Sequence, residues 1–164
     1  FVLYEVESML IHPLHTIPAM DAPPSVHFRR INSSSDTDVV AFRDSQMAGF
    51  FDGKPPPEGM LAITERVARS PRAATWLLEQ EGRVVGSGGL EMYENVAVLI
   101  AGCVHVDARG QGLQSAFIRF RLQEAAAAGL RYATVGSTPG GPTERNALRA
   151  GFTGIYSLLG LELR

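Results

Sequence analysis

"HVDARGQGLQSAF", residues 105–117, joins two segments of different character. Before it runs "VAVLIAGCV", residues 96–104, an apolar stretch rich in β-branched residues that predicts a strand. After it runs "SAFIRFRLQEAAAAG", residues 115–129, which has few breakers, and "GQGLQSAFIRFRLQEAAAAG", residues 110–129, predicts a helix of about five turns closed by Gly129. Between them stand Arg109, Gly110 and Gly112. A helix N-terminus carries unpaired N–H groups and a partial positive charge. An arginine placed there is mismatched unless an anion joins it. The glycines remove side chains and open the backbone to close approach. The junction is read as an anion site, with phosphate as the anion most suited to it. The alternative is a tight turn with a solvated arginine.

Working outward, strands are expected at 26–32 ("VHFRRIN"), and three more within 72–106, turning at "EGR" and "YEN". Short turns imply antiparallel neighbours. A helix capped by a Ser or Asp is expected after Asn32, with Val39, Phe42 and Met47 on its apolar face. A second short helix carries Met60, Ile63 and Val67 at one-face spacing. After the long helix come a strand in "RYATVGS", a short helix capped near Thr143 and stopped by Gly151, and a closing strand or pair in "TGIYSLLGLELR". The order over residues 26–164 is β-α-α-β-β-β-α-β-α-β. It implies an α+β domain: a mixed, mostly antiparallel central sheet flanked by helices.

Three phosphate-binding loops compete for 109–115. A P-loop requires Gly-Lys-Ser/Thr, and Lys54 is the only lysine in the chain. A dinucleotide loop requires Gly-x-Gly-x-x-Gly/Ala, but "GQGLQS" has Ser115 at the third position. It also needs an acid at the end of the next strand, which "RYATVGST" lacks. The third candidate is carried by a resemblance. Arg109-Gly110-Gln111-Gly112-Leu113-Gln114, after an apolar strand and opening a long helix, resembles the acyl-CoA pyrophosphate loop of the GNAT superfamily of N-acyltransferases, Gln/Arg-x-x-Gly-x-Gly/Ala. Arg109 and Gly112 match, and Gln114 departs from the usual small residue, so its side chain must turn away from the phosphates. The order of elements and the ending "RNALRAGF" resemble the same family.

What the resemblance implies is an N-acetyltransferase that moves an acetyl group from acetyl-CoA to a primary amine of a small molecule or amino acid. The other reading is a catalytically silent module that binds acyl-CoA. Gly102, Cys103 and Val104 would flank the pantetheine arm. Arg109, Gly110, Gln111, Gly112, Leu113, Gln114 and Ser115 would hold the pyrophosphate, and Asn146 would bond the cofactor. Family members often use a Glu in the strand before the loop and a Tyr in the last helix, and neither is present. Glu91 and Tyr156 are the nearest substitutes for base and acid; Glu91 and Glu94 also read as solvated hairpin residues, and Tyr156 as a strand aromatic. Cys103 reads as a small buried hydrophobe rather than a nucleophile. His105 faces either the opening or the core.

Net charge is −2 and there is no Lys/Arg block, which argues against a nucleic-acid partner. One cysteine excludes an internal disulfide framework and fits a reducing, cytoplasmic setting. No apolar run reaches a membrane span, and no metal-ligand pattern stands out. "FVLYEVESMLI", residues 1–11, begins as a period-two strand, and a Pro-rich stretch follows. Residues 1–25 are therefore expected to be the tail of a preceding domain, itself resembling a GNAT closing strand, plus a linker. Residues 26–164 would form the acyltransferase domain. The leading strand would pair with this domain's sheet, with a second copy in a homodimer, or with a separate preceding half.

Overall fold

The computed structural model describes residues 1–17, 19, 22, 23 and 25–163. Pro18, Met20, Asp21 and Pro24 of the expected linker lie outside them. Seven strands form one sheet: β1 (Val2–Pro13), β2 (Val26–Arg30), β3 (Ala73–Gln80), β4 (Arg83–Met92), β5 (Val96–Val104), β6 (Tyr132–Ser137) and β7 (Thr153–Glu162). Four helices accompany them: α1 (Asp36–Phe51), α2 (Met60–Arg69), α3 (Leu113–Ala127) and α4 (Pro142–Arg149). The spatial order is β2-β3-β4-β5-β6-β1-β7. Every pairing is antiparallel except β5 with β6. The α+β class and the expected order of elements are those observed.

The middle of the sheet is covered on both sides, so β3 and β4 are buried almost continuously rather than alternately. On one side Trp76, Leu90, Ala97 and Ala133 pack with Phe117, Ile118 and Leu122 of α3. On the other, Leu77 packs with Val39 and Phe42 of α1 and Ala68 of α2. The β3–β4 hairpin turns through Glu81 and Gly82, both at positive φ (53° and 76°), the geometry that lets a two-residue turn follow strand twist. Ser35 caps α1 by accepting from the Asp38 amide.

Several local expectations are corrected. α3 holds 15 residues, about four turns, because its backbone becomes helical only at Leu113. α4 begins at Pro142 with Gly141 as N-cap, not at Thr143; the fixed φ of proline suits a first helical position. In α2 it is Thr64 and Ala68 that face the core, while Ile63 is 54% exposed.

Of the three pairings open to the leading strand, the structure has the first, with this domain's own sheet. β1 lies between β6 and β7, pairing Ser8–Pro13 with β6 and Val2–Ile11 with β7. Leu10 and His12 of β1 are buried, and the His12 ring packs on Phe152 at 5.2 Å between centroids.

Candidate active site

β5 and β6 pair only through Val96–Val98 and Tyr132–Thr134. Beyond that point β5 follows β4 as far as Val104, and β6 follows β1. The two strands part and leave a gap. β5 also carries a bulge there: Ser87 pairs with Cys103 and Gly89 with Ile100, so Ala101 and Gly102 together face one residue of β4. Ala101 sits at φ +53°, a strained setting for a side-chain-bearing residue.

Beneath the bulge lies Arg121 of α3, 3% exposed. It donates to the carbonyls of Gly89 and Ile100, each at 3.3 Å, and its guanidinium lies 4.5 Å from the Phe117 ring centroid. Burial lowers its pKa to about 10. A Cβ at position 102 would stand 2.8 Å from this guanidinium, so a side chain there would have to displace the buried arginine. Arg121 supplies donors to carbonyls beside the bulge, a role the sequence pattern of α3 does not announce.

After β5 the chain makes one 3-10 turn, Val106–Ala108, and enters the glycine loop. Gly110 and Gly112 have φ of +80° and +77°, and a Cβ on either would meet open space. Conformation, not crowding, selects glycine at both. Gly112 is the N-cap of α3 and provides no side-chain acceptor, so the first amides of the helix have no intrahelical partner. A cavity of about 740 Å³ runs from this loop along the end of β5 and is closed by α4. Of the eleven residues expected at the cofactor, all but Gln111 line it. The Gln111 side chain instead accepts from Gln80 at 3.1 Å.

Gln114 turns to α4, donating to Thr143 Oγ1 (3.0 Å) and accepting from Asn146 Nδ2 (2.7 Å). Its departure from the small residue of the loop pattern thus ties α3 to α4. Arg109 lines the cavity and also anchors the loop. Its Nε donates to the Val104 carbonyl (3.1 Å) and its NH2 to that of Gly49 (2.9 Å), latching the loop to the last turn of α1. A cation missed in the sequence, Arg149, also lines the cavity and donates to Asn146 Oδ1 at 3.0 Å. Its signal was its place one turn after Asn146 on α4.

Glu91 and Tyr156 are not brought to the cavity. Glu91 pairs with Val98, at the closed end of the gap. Tyr156 is 55% exposed on β7, which the insertion of β1 moves one strand away from β6. His105 follows β5 directly, its Nε2 lying 3.0 Å from Ser45 Oγ and 3.2 Å from the Ser45 carbonyl oxygen of α1. Burial pushes its pKa below the usual 6.5. Cys103 is 5% exposed, and burial raises its thiol pKa, against thiolate formation. The Gln46 amide nitrogen reaches Ser87 Oγ and the Ala101 carbonyl, both at 2.7 Å, fixing the α1 side of the bulge.

A second cavity of about 410 Å³ opens between α1 and α2 over Ala101. From α1 come Phe42, Gln46, Met47, Phe50 and Phe51. α2 adds Met60, Ile63, Thr64 and Val67. The two cavities share Phe50, and adjacent bulge residues, Ala101 and Gly102, line one each. Among the described residues no helix is long and apolar enough to cross a membrane, and no group of three or more His, Cys, Asp or Glu is placed to hold a metal ion.

The profile of the Acetyltransferase (GNAT) family matches residues 39–152, well over half of the chain. No curated protein matches it in sequence. Among solved structures, the chain is similar to a GCN5-related N-acetyltransferase from Sphaerobacter thermophilus, with a TM-score of 0.75 at 17% identity, over 94% of this chain and 50% of that one. A GCN5-related N-acetyltransferase from Kribbella flavida gives 0.69 at 13% identity, over 96% and 58%. The chain thus spans between half and about three-fifths of the length of those two relatives. AAC(6')-Iy, solved with the bisubstrate analog CoA-S-monomethyl-acetylneamine, gives 0.66 at 17% identity, over 85% of this chain and 98% of that one. At these identities the structural likeness speaks for the fold, and the profile match speaks for the family. The chain belongs to the GNAT acetyltransferase family.

Proposed function

We propose that this protein transfers an acetyl group from acetyl-CoA to the primary amine of a small molecule. The observation that carries the reading is the cavity that joins the uncapped start of α3 to the open gap beside the β5 bulge, with ten of the eleven expected residues on its walls. The residues suit the donor. The amides that open α3, with Arg149 beside them, complement a pyrophosphate. Open space at Gly110 and Gly112 lets phosphate oxygens approach the main chain. The edge of β5 at Gly102–Val104 offers backbone groups to an amide-bearing pantetheine arm.

Acetyl-CoA supplies the activated carbonyl, and the rest falls to positioning. The amine nitrogen forms a bond to the thioester carbon, the carbon–sulfur bond breaks, and a proton passes from nitrogen to solvent while the thiolate gains one. The bulge, held by Gln46 on one side and Arg121 on the other, fixes the main chain at the point where the two cavities meet. Alignment of amine and thioester lowers the barrier without a covalent acyl-enzyme. Among the described residues no Asp, Glu or Tyr lines either cavity, so we infer that proton removal runs through water.

The test is thiol release from acetyl-CoA in the presence of a broad set of primary amines. Turnover with at least one amine, giving the N-acetyl product by mass spectrometry, is expected. Tight acetyl-CoA binding with no product from any amine would favour the silent-module reading.

A further inference from the structure

We infer that the acceptor is a primary amine on an uncharged, apolar body, an arylalkyl or alkyl amine, and that its body lies in the groove between α1 and α2. This rests on the transfer reading above and names its substrate class. Among the described residues the groove has no charged side chain. Its two polar side chains are engaged within the protein: Gln46 donates to Ser87 and Ala101, and Thr64 donates to the Met60 carbonyl at 2.9 Å. A polyamine, an aminosugar or an amino-acid carboxylate entering here would lose hydration and meet no partner. The remaining walls are aliphatic, aromatic or thioether groups, and methionines at 47 and 60 suit adaptable apolar contact.

The apolar stripe of α2 supports the same occupant. Ile63 is 54% exposed, and Met60 and Val67 are only partly buried, so the stripe flanks a groove instead of filling a core. The volume, about 410 Å³, lies within the ordinary range for small-molecule sites. Continuity with the donor cavity fixes the orientation. The groove meets that cavity at Phe50 and at the Ala101–Gly102 bulge, so an amine whose body lies against α2 has its nitrogen at the open gap of β5. An apolar surround also disfavours the ammonium form, which helps to explain how amine attack proceeds without a lining carboxylate.

The experiment compares kcat/KM for 2-phenylethylamine and hexylamine with that for ethanolamine, spermidine and glucosamine, all at saturating acetyl-CoA. The apolar amines should lead by about tenfold or more. Ile63→Asn, a change at an exposed position, should raise their KM about fivefold and leave acetyl-CoA affinity unchanged. Preference for the polar amines would overturn this inference and leave acetyl transfer standing. So would a marked gain with octanoyl-CoA over acetyl-CoA that Ile63→Asn removes, since the groove would then hold the acyl chain. Failure to acetylate any amine would sink the inference together with the proposed transfer.

Discussion

Where the glycine loop meets α3 the cavity offers main-chain groups: two glycines at positive φ, helix amides without a side-chain cap, and the free edge of a strand. Across Phe50 the groove wall is made of side chains, contributed by two helices and one bulge residue. The first region suits a ligand rich in phosphate and amide groups and binds through geometry common to many sequences. The second binds through whatever side chains stand on α1 and α2. On the proposed reading, one fold can hold its donor constant and change its acceptor by altering helix faces alone. The same contrast says what substitution should do: backbone changes harm the slot, and side-chain changes harm the groove.

Phe42 is the strongest place to break this contrast, because it is fully buried in the α1 core and also lines the groove. Phe42→Ala should cost about 3–5 kcal/mol of stability, read from urea denaturation. If the groove is a mere surface crease, amine KM in the surviving folded fraction would not change. Gln114→Ala sharpens the other side. It removes both bonds to α4 and should cost about 1 kcal/mol. Acetyl-CoA affinity should fall a few-fold in calorimetry, with the KM of apolar amines unaffected.

His105 sits on the wall that joins β5 to α1, and its behaviour is read through pH. Burial lowers its folded pKa below 6.5, so the fold favours the neutral ring. Its contribution is present above pH 6.5 and is lost as pH falls through the folded pKa. His12 is shifted the same way by burial. Wild-type stability should decline as pH drops below about 6.5. His105→Asn should decline less steeply, the remaining slope belonging to His12 and, at lower pH, to the Asp38, Asp107 and Glu144 carboxylates, whose pKa values the fold lowers. An identical slope in the variant would remove His105 from the account. The smallest effect is expected from Cys103→Ala. The thiol is buried with a raised pKa, and direct transfer needs no nucleophile, so most activity should remain. A trapped acyl-cysteine in the wild type would contradict this.

The same division decides what could be read in advance. The slot was legible because main-chain conformations that exclude most side chains leave glycines in the sequence, and Arg109-x-x-Gly112 stood between a clear strand and a clear helix. The groove was not. Met60, Ile63 and Val67 have the spacing of a core-facing stripe, and spacing does not distinguish a buried face from one that lines a cavity. Arg121 was hidden in a helix whose other residues gave no reason to single it out, since the carbonyls it serves lie on β4 and β5. Tyr156 was misplaced for a topological reason. Nothing in "FVLYEVESMLI" shows that it inserts between β6 and β7, and that insertion displaces the closing strand.

The central claim is that the donor's phosphates rest on the amides at the start of α3, and Gly112 tests it most directly. Asp and Asn both tolerate the left-handed backbone this position requires, and they differ in charge. Isothermal titration of acetyl-CoA into folded Gly112→Asp should show affinity lowered by tenfold or more, and several-fold below that of Gly112→Asn, because a carboxylate would face the phosphates. Wild-type affinity in a folded Gly112→Asp protein would contradict the assignment of the donor site.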